Sequence, residues 1–393
     1  MRLPSALLLA AMVCGCGPAQ PPAPTVPSGA DRLTLWPATF EQLPGWQQDA
    51  AAAALPALLK SCERFVRLPL DRSIGLDGLG GVAGDWYGPC SAAGKVAPGD
   101  HGAARSYFEQ WFAPHQASNN GNPDGLFTGY FEPEIRGSKH RQGRFTVPIH
   151  GKPTDAVNID LGRFRSEWQG EQLVGRLNGG RLDPYPSRAD IEAGAVEGKA
   201  PVLLWTDDAV DLHIMHIQGS GRVRLDDGSV VRLGVAGSNG HKFVGVGRVL
   251  KEQGRLDDLS MPAIRAWLKA HPADAAAVLA KNPRYIFYAA NAGEGPVGTE
   301  GVALTAERSL AVDQKFIPLG LPLWLDTVDP AGKPLRRVMV AQDTGSAIKG
   351  PVRGDFFWGF GEAAFDQAGR MKSRGHYYLL LPRQRSPRLA AAG

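Results

Sequence analysis

Metal-ligating patterns are missing from this chain. Its 4 cysteines and 9 histidines nowhere fall at zinc spacing. The nearest candidate, His213 with His216, sits in a strand-like run and lacks the acid of an HExxH helix. No bound metal is expected. Gly245 and Gly247 have no third glycine in register, so there is no dinucleotide fingerprint, and no phosphate-binding loop is visible. The formal charge of +4 is spread along the chain, with no basic stripe interleaved with aromatics. That excludes a nucleic-acid footprint and argues weakly for an anionic polymer as partner. There is no internal repeat, and the apolar run near the N-terminus is too short to span a bilayer.

That run has a different use. Arg2 precedes Leu7, Leu8, Leu9 and Met12, the size of a secretory apolar core, which predicts export. It ends at Val13, Cys14, Gly15, Cys16 and resembles a bacterial lipoprotein signal, with residues 1–15 removed and Cys16 lipidated. Residues 16–31, rich in Pro, Ala, Ser and Thr, then read as a tether to a folded domain. The residue after Cys16 is not Asp, which in lipoprotein sorting points to the periplasmic face of the outer membrane. Only Cys62 and Cys90 remain beyond the tether. In an oxidising compartment they are one possible structural disulfide, contributing roughly 3 kcal/mol.

The mature length allows one large or two moderate domains. With 49 Gly and 31 Pro, the composition suits a turn-rich β protein better than a helical bundle. Helices are expected at Trp46–Val66, at Ala103–Ala113, after Ser187 and after Ser260. Strands are expected at Leu126–Phe131, Val202–Thr206, Leu212–Gln218, Val230–Leu233, Arg284–Tyr288, Leu321–Asp326, Arg337–Gln342 and His376–Leu381. Asp226, Asp227 and Gly228 predict a hairpin with a type I′ turn.

The chemistry-bearing stretch is Arg337 to Gly361, which places Asp343 and Asp355 in a glycine-rich loop entered from an apolar strand. A loop of this kind suits acid catalysis. The competing reading makes Asp343 a turn cap and Asp355 a solvated acid.

Six segments carry a resemblance over most of the mature chain: LFTGYFEPEIRGS at Leu126–Ser138, DPYPSRADIEAG at Asp183–Gly194, HIQGSGRVRLDDG at His216–Gly228, GSNGHKFVGVGRVL at Gly237–Leu250, NPRYIFY at Asn282–Tyr288 and AQDTGSAIKGPVRGDFFWG at Ala341–Gly359. In this order they resemble the membrane-bound lytic murein transglycosylase A family. The resemblance implies a mainly β fold with helical additions. A double-psi β-barrel would be formed from residues 32–131 and 241–384, a smaller β-domain inserted at 132–240, a glycan groove between them, and a tail at 385–393. It implies a lytic exotransglycosylase that cleaves the β-1,4 bond between N-acetylmuramic acid and N-acetylglucosamine and leaves 1,6-anhydromuramoyl ends. No cofactor is needed for that reaction. Peptidoglycan strands would be the substrate, with cell-wall synthesis or division proteins as conceivable partners.

Carried over residue by residue, the resemblance makes Asp355 the acid and base and Asp343 its support, with Phe356, Phe357 and Trp358 as apolar surroundings. Tyr130 is expected to stack on a sugar, and Thr128 with the Gly129 backbone to bond hydroxyl or N-acetyl groups. Gln218, Gly219 and Ser220 would form a strand end opening on the groove. Asn239, Lys242 and Lys349 are further candidates for acetamido or lactyl oxygens. Two alternatives stay open: a water-using muramidase that pairs Asp355 with Asp343, Glu132 or Glu134, and a non-catalytic wall-binding module.

Overall fold

The computed structural model describes residues 30–383. Cys16, the leader, the tether up to residue 29 and the tail at 385–393 lie outside the described residues. Six strands close a double-psi β-barrel: β1 (Gly125–Glu132), β2 (Ser309–Val312), β3 (Pro322–Val328), β4 (Pro334–Asp343), β5 (Arg353–Phe360) and β6 (Lys372–Pro382). Around the barrel the order is β6, β3, β4, β2, β5, β1, and β1 pairs back onto β6. Two contacts, β1 with β5 and β2 with β4, are parallel. Full closure leaves no free edge among these six.

The segment from residue 40 to residue 111 covers one side of this barrel. Trp46 and Trp86 are buried there, and Trp46 packs edge-on against Trp324 of β3. The expected long helix over Trp46–Val66 is instead a pair of 3-10 turns followed by α1 (Leu55–Phe65). Pro56 sits in the first turn of α1, where a missing N–H costs nothing. The helix expected at Ala103–Ala113 runs from His101 to Trp111, capped by Asp100, and Phe112 already opens a strand that pairs with β6. Cys62 of α1 is bonded to Cys90 of the helix Tyr87–Ala93, with 5.5 Å between their Cα atoms.

A second six-stranded sheet follows β1 after a single residue. β1 ends at Glu132, and the strand Glu134–Ser138 begins after Pro133. This sheet has the order Ile286–Ala290, Val230–Ser238, Gly221–Leu225, Glu134–Ser138, Val202–Thr206, Val147–His150. A bridge between Gly151 and Tyr288 brings its two edges nearly to closure. The sheet runs past the expected end of the insertion at 240, because Val230–Ser238 finds its partner in Ile286–Ala290.

Two local expectations are corrected. Leu212–Gln218 is no strand but the end of a helix, α2 (Ala209–Gln218). Asp208 caps it, its carboxylate accepting from the N–H groups of Val210 and Asp211, and Gly219 stops it in the left-handed conformation. Nearly every face of α2 is buried, so its apolar residues show no helical period, and the isoleucines then read as strand. The hairpin at Asp226–Gly228 exists, but only Gly228 has positive φ, at 83°. A type I′ turn needs two such residues. Asp227 instead spends its carboxylate on the N–H and hydroxyl of Ser229.

Candidate active site

The two aspartates lie on strands rather than in a loop. Asp343 is the last residue of β4 and Asp355 the third of β5. Between them runs β2, whose Ala311 is in register with both. On the far side of β5, Asp355 is in register with Thr128 of β1. One row around the barrel therefore reads Asp343, Ala311, Asp355, Thr128. Two strand spacings, roughly 9–10 Å, separate the backbones of the aspartates.

Strand alternation sorts the aromatics after Asp355. Phe357, two residues on, shares the face of Asp355 and packs on Tyr130 with 5.1 Å between ring centroids. Phe356 is fully buried in the main core, and Trp358 packs on Phe356 on that other face. Of the three expected neighbours, only Phe357 adjoins the acid's side of the strand.

Asp355 is held by a directed chain. Arg353 donates from Nη2 to Thr128 Oγ1 at 2.8 Å, and Thr128 Oγ1 donates to Asp355 Oδ1 at 2.5 Å. A guanidinium only donates, so the single hydroxyl proton of Thr128 is committed to the carboxyl group. Burial pushes the Asp355 carboxyl up to about 6, with the Asp343 charge adding to it, against the lowering effects of Thr128 and Arg353. Its surface is nevertheless partly open.

Asp343 is treated differently. Its Oδ1 accepts from Thr299 N at 2.8 Å, Thr299 Oγ1 at 3.0 Å and Thr344 N at 2.9 Å. Burial raises its proton affinity, and these donors oppose the rise. The buried Tyr130 hydroxyl adjoins Asp343 without a hydrogen bond of good geometry, and burial with the two carboxylates holds it firmly protonated.

A groove of about 590 Å³ opens beside this row. One wall is Tyr130, Asp343, Thr344 and Phe357 of the barrel, and the other includes Gly234, Val235, Ala289 and Ala290 of the second sheet. Thr299 belongs to a loop that also lines the groove, with Pro296, Val297 and Gly298. Asp355 is not in this lining, although Phe357, two residues on along β5, and Tyr130 of the adjoining β1 are. Gln218, Gly219 and Ser220 do line it, but as the C-terminal end of α2 rather than a strand end. Gln218 Oε1 accepts from Phe131 N at 3.2 Å, which ties that helix end to β1.

Other expected contacts fall elsewhere. A Cβ on Gly129 would lie 2.7 Å from Trp358 Nε1 and 2.8 Å from Ala368 Cα. The residue serves close packing of a helix, α3 (Gly361–Arg370), and does not line the groove. Asn239 is buried, donating to Pro186 O and Pro283 O and accepting from Tyr285 N, so it braces loops. Lys242 and Lys349 are exposed and outside the groove lining. Glu134 is paired with Arg222 and Arg224 at 3.2 and 2.7 Å. Glu132 is buried behind β1, and burial raises its proton affinity. Neither lines the groove. His213 and His216 are buried in α2 with burial keeping both neutral, and no group of three metal-ligating side chains occurs among the described residues.

Thr299, Thr344 and Arg353 escaped the sequence reading. Their roles depend on partners 44, 1 and 225 residues away. Only Thr344, next to Asp343, carried a local signal.

Comparison with known proteins decides the family. Residues 126–289 match the MltA specific insert domain, and residues 308–381 match the 3D domain. The membrane-bound lytic murein transglycosylase A of Escherichia coli K12 is 34% identical over 274 residues, 67% of either chain. The chain belongs to the MltA family. The crystal structure of MltA from Neisseria gonorrhoeae superposes with a TM-score of 0.77 at 33% identity, covering 93% of this chain and 95% of that one. E. coli MltA with bound chitohexaose aligns with a TM-score of 0.64 at 25% identity over 89% and 92% of the two chains. The MltA insert match ends at residue 289, inside the strand Ile286–Ala290 that completes the second sheet.

Proposed function

We propose that this MltA-family protein is a lytic transglycosylase of peptidoglycan in which Asp355 alone carries the proton. The observation that carries the reading is the Arg353–Thr128–Asp355 chain: with Oδ1 engaged by Thr128, Oδ2 is left as the proton-bearing oxygen. Asp355 Oδ2–H donates to the glycosidic oxygen between N-acetylmuramic acid and N-acetylglucosamine as the C1–O4 bond breaks. The carboxylate so formed takes the proton of the C6 hydroxyl, O6 bonds to C1, and a 1,6-anhydromuramoyl end remains with Asp355 protonated again. No water is consumed. An acid poised near 6 is suited to both halves of this exchange. Asp343, which accepts from three donors, lines the groove, and its carboxylate form stabilises the positive charge that develops at C1.

A muramidase would need a second carboxylate as nucleophile or water activator. Glu134 is engaged with two arginines and Glu132 is buried, only 2% exposed, which supports the single-acid reading. The relative that holds chitohexaose supports a β-1,4-linked amino-sugar polymer as the occupant of the groove. The test is mass spectrometry of muropeptides released from sacculi by the wild type and by Asp355→Ala. Anhydro ends, one water lighter than reducing ends, are expected from the wild type, and the variant should release none. Reducing ends from the wild type would sink the lytic mechanism, and an active variant would sink the assignment of Asp355.

For location, we propose a lipid anchor at Cys16 that holds the enzyme at the periplasmic face of the outer membrane. No helix among the described residues is long and apolar enough to cross a membrane, and the E. coli relative is named membrane-bound. Labelled fatty acid should enter the wild type and not Cys16→Ser, and a Cys16→Ser protein that stays in the outer-membrane fraction overturns the proposal.

A further inference from the structure

On the face of β4 opposite Asp343 lies a buried carboxyl for which the glycan chemistry has no use. The side chain of Glu300 is wholly covered. Its Oε2 accepts from Ser61 Oγ of α1 at 2.8 Å, and Arg64 stands 3.5 Å from Oε1. Ser61 Oγ also accepts from Gln342 Nε2 at 2.9 Å, while Gln342 Oε1 accepts from Ser309 Oγ of β2 at 2.6 Å. The Glu300 N–H donates to Gln342 O at 3.1 Å. Space for the carboxyl is provided by Gly320, at φ +91°, where a Cβ would come within 2.6 Å of Glu300 Oε1 and 2.2 Å of the Phe65 ring.

The neighbouring residue completes the arrangement. Thr299 gives both its N–H and its hydroxyl to Asp343. Consecutive residues of one loop thus meet consecutive residues of β4: Glu300 bonds the Gln342 carbonyl through its N–H and reaches the Gln342 side chain through Ser61, and Thr299 holds Asp343 on the groove side. Gly298 lies against the same strand, where a Cβ would be 2.4 Å from Gln342 O.

We propose that Glu300 is a positioning residue: seated in the Ser61–Gln342 network, its carboxyl clips the groove loop 296–303 to β4 and thereby keeps the Thr299 donors on Asp343. The clip rests on the reading of Asp343 as the support of the site. A carboxyl in this place is accommodated best when neutral. Burial pushes Glu300 up to about 7, with Ser61, Arg64 and Gln342 opposing. Few charged groups face it from the packed elements. On α1, Arg64 is partly exposed and Lys60 is spent on Ala303 O and Thr305 Oγ1. Arg308, preceding β2, is paired with Asp49, and Asp343 is on the other face of β4. As pH rises through about 7 the clip acquires a charge that only Arg64 can offset, and it loosens.

The test is amide hydrogen exchange at Thr299, Glu300 and Thr344 in the wild type, Glu300→Gln and Glu300→Ala, at about pH 6 and pH 8 after correction for intrinsic rates. Protection in the wild type should fall about tenfold between these values, with a midpoint near 7. Glu300→Gln, an uncharged isostere, should keep its protection at both pH values, and Glu300→Ala should be poorly protected at both. Turnover of sacculi should follow at pH 6, with Glu300→Ala at least fivefold below Glu300→Gln. The proposal is overturned by a wild-type midpoint that persists in Glu300→Gln, or by full protection in Glu300→Ala. Exchange is read without substrate, so a failure of the lytic reading leaves this result standing. If Glu300→Ala does not fold, the Glu300→Gln arm decides alone.

Discussion

Thr128 and Asp355 are 227 residues apart in the chain and share a hydrogen bond of 2.5 Å whose direction Arg353 dictates. The parallel pairing of β1 with β5 puts them side by side, and the guanidinium behind Thr128 leaves its hydroxyl one place to send its proton.

Thr128→Val removes that donor with little change in shape. The bond lowers the proton affinity of Asp355, so its loss moves the carboxyl further up from about 6. The alkaline limb of the activity profile should shift to higher pH, while turnover falls about tenfold or more because the carboxyl loses its orientation. A pH series on purified sacculi checks both. A limb that stays in place would show that Thr128 does not act on the acid.

The same shift has a consequence for stability. The folded value of Asp355 lies above its ordinary 3.8, so the folded state binds this proton more tightly than the unfolded state does. The contribution is fully present below about pH 4 and is lost as pH rises through about 6. Asp355→Asn should therefore abolish activity and yet stabilise the fold by about 1–2 kcal/mol at pH 8, allowing for the partial exposure of the site. At pH 4 the gain should vanish. Denaturant melts at the two pH values test the sign.

Gly129→Ala is expected to destabilise by about 1–3 kcal/mol, since its Cβ would press on Trp358 and the backbone of Ala368. The defect should appear in thermal melts, with the affinity for soluble glycan fragments retained in protein that remains folded. A selective loss of glycan affinity would return Gly129 to the binding surface.

Replacing both Cys62 and Cys90 by serine should cost about 3 kcal/mol, the effect of freeing the loop between cysteines 28 residues apart. Unfolding in reducing and oxidising buffer, compared for the wild type and the double variant, measures it. Catalysis in the folded variant is expected to persist, because neither sulfur approaches the groove lining.

The legibility of this fold follows the range of its interactions. Asp343 and Asp355 stand out in the sequence because glycines and an apolar strand surround them. Their setting on two strands astride Ala311 was not legible, since it depends on β2 entering between β4 and β5. Capping at Ser187 and Ser260 was legible because a cap is satisfied within three residues. The helix ending at Gln218 was not, since burial on nearly all sides removes the contrast from which a period is read. The strand Ile286–Ala290 is separated from its partner Val230–Ser238 by three helices, so the second sheet looked finished too early.

Pro133 is the one residue between the strand that closes the barrel and the strand that enters the second sheet. Its ring holds φ at about −65°, so the opposed surfaces meet at a joint with a torsion already fixed. The strand that carries Thr128 therefore leads into the second sheet through a single residue of restricted torsion, which ties the acid's hydroxyl partner covalently to the opposite side of the groove.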